Sequence, residues 1–312
     1  MKILGVDIGT TGLKMGLFES GDDRVHLIQQ YSESYPINSY NNGLFADIEQ
    51  DKWLSAFRNG CAFLRNEIAD VTVISLSGTT PGLTAMDENG NALYPAILML
   101  DQRSRKQARF IIDTIGLDYL LIHTGNMPVA GGCSLASILW IKENLPNLYE
   151  KTYKFGHSNT FVGCWLTGVF AMDPSSASLS AVYNTAKNDL SWHTPIAEAC
   201  NISENVLPQL IHAADSIGPV KQELSDQLGF RHPPKVLIGG NDAVLAAYSA
   251  GIQSPGDIIN VNGTSEITLV CLPRCMASQQ YNVRAHVLPD RWLTLHVMNA
   301  GGKSWEWFRN LF

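Results

Sequence analysis

The chain has 312 residues, a soft prior for about two domains at roughly 150 residues each. Hydrophobic residues make up 45% and charged residues 16%, against roughly 25% charged in ordinary soluble domains, so apolar surface is ample and the composition argues against disorder. The formal net charge of −7, with no Lys/Arg cluster, argues against a nucleic-acid surface, so an anionic ligand would be held by backbone groups, a metal and single cations.

Residues 3–6 form a short apolar run closed by Asp7 and a Gly/Thr-rich turn, and residues 13–18 alternate as a second strand, which predicts a β-hairpin. A third strand is expected near residues 25–29. Over residues 50–69 apolar side chains recur at helical spacing, with Trp53, Phe57, Cys61 and Leu64 on one face. Residues 71–76 read as a buried β-branched strand ending in the loop Ser77-Gly78-Thr79-Thr80-Pro81-Gly82. Residues 83–86 and 96–100 flank the turn Asp87-Glu88-Asn89-Gly90 and suggest another hairpin. From residue 103 to about residue 165 the pattern is mostly helical, interrupted at 125–132.

The pattern restarts near His232-Pro233-Pro234. Residues 235–238 read as a strand, Gly239-Gly240-Asn241-Asp242 as a turn and 243–250 as a small-residue helix. Residues 258–261 are a strand closed by Asn262-Gly263-Thr264-Ser265, and 266–272 run on from it. A strand, a Gly-rich turn and a second strand therefore occur near each end of the chain. The expected architecture is α/β, with a first domain over residues 1–236 and a second beginning over 237–312. The six cysteines are scattered and read as reduced thiols, since no second pair joins Cys271 and Cys275 to hold zinc. No export signal is legible and no apolar run approaches the roughly 18 residues of a membrane helix, so a cytoplasmic protein without a membrane partner is expected.

The first turn, Asp7-Ile8-Gly9-Thr10-Thr11-Gly12, gathers backbone N–H donors and two hydroxyls, the composition of a phosphate cradle that needs no counter-charge. Asp7 is itself anionic and suits a Mg²⁺ ion, held directly or through water, with Lys14 as a point-charge partner. The alternative is a plain Gly-rich hairpin with a solvated Asp7. Asn262-Gly263-Thr264-Ser265 repeats the recipe without an acid, or is a plain turn. Asp242, after two glycines at a strand end, is placed either to accept an acceptor hydroxyl's proton or to cap a helix for about 1 kcal/mol. Asp101 and Arg103 offer groups that hydrogen-bond vicinal hydroxyls, or form a surface salt bridge or helix start. Gly301-Gly302-Lys303-Ser304 is not a P-loop, because Val297 stands where that motif's first glycine belongs. The eight histidines form no ligand set.

With these residues in order, the chain resembles the FGGY family of carbohydrate kinases, within the sugar kinase/Hsp70/actin superfamily, and is xylulose kinase-like. Residues 5–18 (GVDIGTTGLKMGLF) are similar to the family's first phosphate motif, and residues 74–103 to its sugar-contacting segment, which usually ends in W-x-D-x-R. Residues 135–148 and Leu166-Thr167-Gly168 resemble the helical lid region. Residues 239–242 and 256–265 resemble the catalytic-base loop and second phosphate motif. The resemblance implies two ribonuclease H-like (actin-like ATPase) domains that close on their substrates, with transfer of the γ-phosphate of ATP to a hydroxyl of a small sugar or polyol. It implies ATP and Mg²⁺ as cofactors. Asp242 would be the general base and Asp7 the metal support, with Thr10, Thr11, Lys14, Gly263, Thr264 and Ser265 on the phosphates. Thr79, Thr80, Asp101 and Arg103 would sit at the sugar, and a homodimer is left open.

Three departures stand out. Xylulose kinases usually carry Gln-Met-His-Gly where this chain has Thr79-Thr80-Pro81-Gly82, and Met99 replaces the usual tryptophan before the Asp-x-Arg pair. The chain also stops at Phe312, short of the part of the second domain that grips adenine, so an incomplete second domain is expected. Trp305-Glu306-Trp307-Phe308 reads as a helix face awaiting a partner. The alternatives kept are a catalytically impaired sugar- or nucleotide-binding relative, an inactive fragment of a longer kinase, and an actin/Hsp70-type ATPase.

Overall fold

A computed structural model of the chain describes residues 1–21, 24–262, 266–298 and 301–311. Its first unit is built on a six-stranded sheet ordered Ser216–Pro219, Lys235–Asn241, Val71–Gly78, Lys2–Ile8, Gly12–Ser20, Val25–Ser34. Lys235–Asn241, Val71–Gly78 and Lys2–Ile8 run parallel, and the remaining pairings are antiparallel. The expected hairpin and third strand are present, the third extending to Ser34.

Strand alternation divides the two faces of this sheet. Leu4, Val6, Ile8, Leu13, Met15, Leu17, Ile74, Leu76, Val236 and Ile238 are buried in one core with side chains of the helices Asp51–Phe63 and Ser158–Thr167. Those helices also meet each other, through Trp53 on Phe161 at 6.1 Å and Phe57 on Trp165 at 5.3 Å between ring centroids. Each such fully buried large side chain contributes roughly 1.5–3 kcal/mol, and that burial fixes the strand register. Asp7, Lys14, Gly16, Ser75 and Ser77 alternate with the core positions and line a cavity of about 360 Å³ closed on one side by Leu245. They are too small and polar to pack a second core, so this face stays open.

The stripe Trp53, Phe57, Cys61 and Leu64 is buried as expected, but the helix ends at Phe63 and a separate 3₁₀ turn spans Ile68–Asp70. Gly82–Met86 and Ala96–Leu98 pair in a five-stranded sheet ordered Asn38–Tyr40, Phe45–Ile48, Ala96–Leu98, Gly82–Met86, Lys154–Gly156. Met99 and Leu100, expected to continue that strand, lie exposed beyond its end. The helical stretch consists of Arg105–Ile115, Leu117–Thr124, Ser134–Asn144, Pro146–Lys151 and Ser158–Thr167, with the strand Lys154–Gly156 inserted.

The expected domain boundary moves. Residues 239–241 are not a turn: the strand Lys235–Asn241 runs through both glycines in the first sheet, with a register shift between Leu237 and Gly240. Gly239 takes φ +64°, and a Cβ there would lie 1.5 Å from the Leu76 carbonyl oxygen, so only glycine lets the strand pass. A boundary at residue 236 would cut this strand; the sheet ends at Asn241, and the second unit starts with the helix Asp242–Ser249. That unit holds an antiparallel sheet ordered Ile258–Asn262, Glu266–Leu272, Trp292–Met298, Asn282–Ala285, packed on the helix through Val244, Ala247, Leu269 and Leu293. In the last helix, Gly301–Arg309, Trp305 is 72% and Trp307 65% exposed. All six cysteines are free, and among the described residues no helix is long and apolar enough to cross a membrane.

Candidate active site

The three parallel strands end on one side of the sheet, where ligands of open α/β sheets bind. Asp7 and the Gly9–Gly12 turn follow the first, Ser77 to Thr80 end the second, and Asn241-Asp242 end the third. The turn is tight: Gly9 N–H donates to the Gly12 carbonyl at 2.9 Å, and a Cβ on Gly9 would stand 2.8 Å from that oxygen. Tyr35 holds it from outside, its hydroxyl donating to the Gly9 carbonyl at 2.7 Å and its N–H to the Thr11 carbonyl at 3.0 Å. Thr10 and Thr79 share a hydroxyl–hydroxyl bond of 2.9 Å, and Thr79 N–H donates to the Ile8 carbonyl at 2.9 Å. The Asn241 amide donates to the Thr80 hydroxyl. The three strand ends are therefore cross-linked by their own side chains. The repeat at Gly263, Thr264 and Ser265 lies outside the described residues.

Asp7 accepts from the Ser77 hydroxyl at 2.9 Å on Oδ1, while Oδ2 lies 3.9 Å from Lys14 Nζ. The Asp7 side chain is 38% exposed and Lys14 73%, so this pair is weak and the carboxylate remains available to a solute. Asp242 is held far more firmly. Its Oδ1 accepts from Ala243 N–H at 2.7 Å and from the Asn241 amide at 2.9 Å, and Oδ2 has no hydrogen-bond partner among the described residues. Burial pushes the Asp242 carboxyl above the usual range, with Asp7 adding to the rise and Arg284 opposing it. The helix cap is Asn241, which accepts from Val244 N–H at 3.2 Å, so capping is not what Asp242 does.

Mg²⁺ keeps most of its waters and takes one or two carboxylates plus substrate phosphates. Asp7, open to the cavity, fits that demand, and among the described residues no group of three ligating side chains offers an all-protein cage.

Asp101 and Arg103 are placed differently from the expectation of sugar contacts. Both side chains are fully buried and spent on each other and on Asp47. Arg103 Nε donates to Asp101 Oδ2 at 2.8 Å, one terminal nitrogen to Asp47 Oδ2 at 2.8 Å and the other to the Tyr94 hydroxyl at 2.9 Å. Asp101 also accepts from Ala46 N–H at 2.7 Å and Arg103 N–H at 2.8 Å. The guanidinium lies 4.4 Å from the Phe45 ring and 5.1 Å from Trp140. No donor or acceptor is left to meet a hydroxyl, and the cluster ties Phe45–Ile48 to the loop after Ala96–Leu98.

Four residues that sequence reasoning passed over complete the site. Ser77 orients Asp7, and Asn241 orients Asp242 while bridging to Thr80. His157, fully buried, meets Ser134 Oγ through Nε2 at 2.7 Å, leaving Nδ1 without a partner. Arg284 is buried near Asp242 and His157. An Asn before the helix was a legible capping signal; a lone His and a lone strand Arg carried none.

Residues 2–249 match the N-terminal domain of the FGGY family of carbohydrate kinases. A xylulose kinase of Lactococcus lactis subsp. lactis is 30% identical over 315 residues, covering 99% of this chain and 61% of that protein. A xylulose kinase of Staphylococcus xylosus is 28% identical over 314 residues, covering 99% of this chain and 63% of that protein. The crystal structure of xylulose kinase from Rhodospirillum rubrum superposes with a TM-score of 0.91 at 21% identity, covering 100% of this chain and 63% of that one, a likeness of fold. The chain thus spans about three fifths of the length of these curated relatives.

Proposed function

Since the chain belongs to the FGGY family of carbohydrate kinases, we propose that it serves ATP-dependent phosphorylation of a hydroxyl on a small sugar or polyol, as a cytoplasmic protein. The observation that carries this is Asp242: a half-buried carboxylate, locked through Oδ1, with Oδ2 turned to the shared end of the three strands. A group so placed takes the proton from the acceptor hydroxyl as its oxygen attacks the γ-phosphorus of ATP and ADP departs. Burial raises its proton affinity toward that task. Thr10, Thr11 and the backbone of their turn would line the phosphates, with Lys14 as a mobile cation. A bound Mg²⁺ would neutralise phosphate charge, and Asp7 would hold it with waters between. Thr79 and Thr80, tied to Thr10 and Asn241, set the spacing between phosphate turn and base. The test is Asp242→Asn in the intact protein, assayed by ADP release over a panel of pentuloses, hexuloses, aldonates and polyols. Loss of turnover by at least ~10²-fold is expected, with ATP binding kept. Turnover near wild type would remove Asp242 from the mechanism.

A further inference from the structure

Arg284 sits at the middle of Asn282–Ala285, the edge strand of the second sheet. First-unit groups clamp that edge on both sides of it. Asn126 accepts from Val283 N–H at 2.9 Å and donates to the Val283 carbonyl at 2.8 Å, and Ser178 Oγ accepts from Ala285 N–H at 3.0 Å. One strand over, Trp292 Nε1 donates to the Thr185 carbonyl at 2.7 Å. Val283 and Ala285 pack on one side, so alternation sends Arg284 to the other, the side of its register partner Leu293 and of the helix that Asp242 begins.

There the guanidinium is nearly sealed, with the residue 4% exposed, yet Nε has no hydrogen-bond partner. No ion pair or hydrogen bond joins the guanidinium to any described residue. Arginine is rarely buried unpaired, because removing a cation from water is costly unless an anion completes it. Burial holds its proton affinity down, to about 10, and Asp242 is the acid whose field it feels. Asp242 feels both Arg284 and Asp7, with opposite signs. Asp242 therefore lies between Asp7, at the phosphate turn, and Arg284, on the acceptor's side. The other titratable neighbour there, His157, is held neutral by burial and by Arg284 itself, at about 3, and supplies no anion.

We propose that Arg284 determines acceptor specificity by pairing with a carboxylate, so that the acceptor is a sugar acid of the aldonate class. The assignment rests on the reading of Asp242 as the base. A guanidinium's planar fork matches a carboxylate through two parallel hydrogen bonds, and the partnerless Nε is one of the donors such a pair uses. A transferred phosphoryl group is the less favoured anion, because it arrives on the Asp7 side of the base.

The experiment is calorimetric binding of sodium D-xylonate and D-gluconate against xylitol and D-glucitol, with wild type, Arg284→Met and Arg284→Gln. Wild type should bind each acid about ten- to hundredfold tighter than its matched polyol, the range of a charge-assisted hydrogen bond. Both substitutions should bring that ratio near one. Arg284→Met should also raise the melting temperature, since a buried unpaired charge is removed. Arg284→Gln keeps donors without the charge and decides the matter if the Met variant does not fold. Equal affinity for acids and polyols in wild type would overturn the assignment while leaving the kinase reading in place. A ratio that survives both substitutions would do the same. Equal weakening of both classes would point to the phosphoryl group and also overturn it. Binding of neither class would overturn both readings.

Discussion

Replacing Arg103 by Met tests whether the Asp101–Arg103 pair braces the fold or meets the sugar. Arg103 and Asp101 side chains are 0% exposed and Asp47 is 2% exposed, so the substitution strands two carboxylates in a dry site. Three hydrogen bonds of 2.8–2.9 Å, to Asp101, Asp47 and the Tyr94 hydroxyl, vanish with the guanidinium. Breaking a buried pair by removing one partner costs about 3–5 kcal/mol. At roughly 2–4 °C per kcal/mol, the melting temperature should fall by about 6–20 °C. Scanning calorimetry at neutral pH is the direct measurement. Two controls sharpen it. The triple variant Asp47→Asn, Asp101→Asn, Arg103→Met should recover much of the loss, because replacing a whole buried ionic cluster by neutral groups is often close to neutral. The deficit of Arg103→Met should also shrink as the pH falls, since protonation discharges the stranded carboxylates. A variant that melts like wild type but binds sugar poorly would refute the bracing role and restore the sugar-contact reading.

Gly239→Ala places a Cβ 1.5 Å from the Leu76 carbonyl oxygen at φ +64°. The neighbouring atom is backbone and cannot swing aside, so a loss of more than ~3 kcal/mol in urea unfolding is expected; an unchanged midpoint would show that the strand passes this point differently. His157 is held at about 3 by burial, against about 6.5 in the unfolded chain. The unfolded state therefore takes up the proton first. His157's contribution is complete above pH about 6.5 and is lost as the pH falls toward 3, at up to about 1.36 kcal/mol per unit. Between pH 6.5 and 5 this amounts to roughly 2 kcal/mol, which His157→Gln should remove from the acid slope. An identical slope in both proteins would show that other groups set it.

The local elements were legible because they rest on local chemistry. The hairpin around Asp7 follows from two apolar runs and a turn in which Gly9 tolerates no side chain. The stripe Trp53, Phe57, Cys61 and Leu64 declares its buried face by spacing. Asp242 was legible as a carboxylate at a strand end, and its nearness to Asp7 and Thr80 follows from parallel pairing of strands far apart in the chain. Other placements had no local signature. Asp101-x-Arg103 has the same spelling as a sugar clamp or as a sealed ion cluster; the choice is made by Asp47, Tyr94, Phe45 and Trp140, brought from elsewhere to exclude water. The strand through Gly239-Gly240 reads as a turn until Val71–Gly78 lies beside it and occupies the space a Cβ would need. Alternation in Asn282–Ala285 places Arg284 opposite two apolar neighbours, a position most strands expose to water. Only the docking of that edge on Asn126 and Ser178 buries it and leaves its charge facing the base. Residue type and spacing determine which groups are offered, while burial and long-range pairing decide which remain free to act, because desolvation depends on every residue that closes around them.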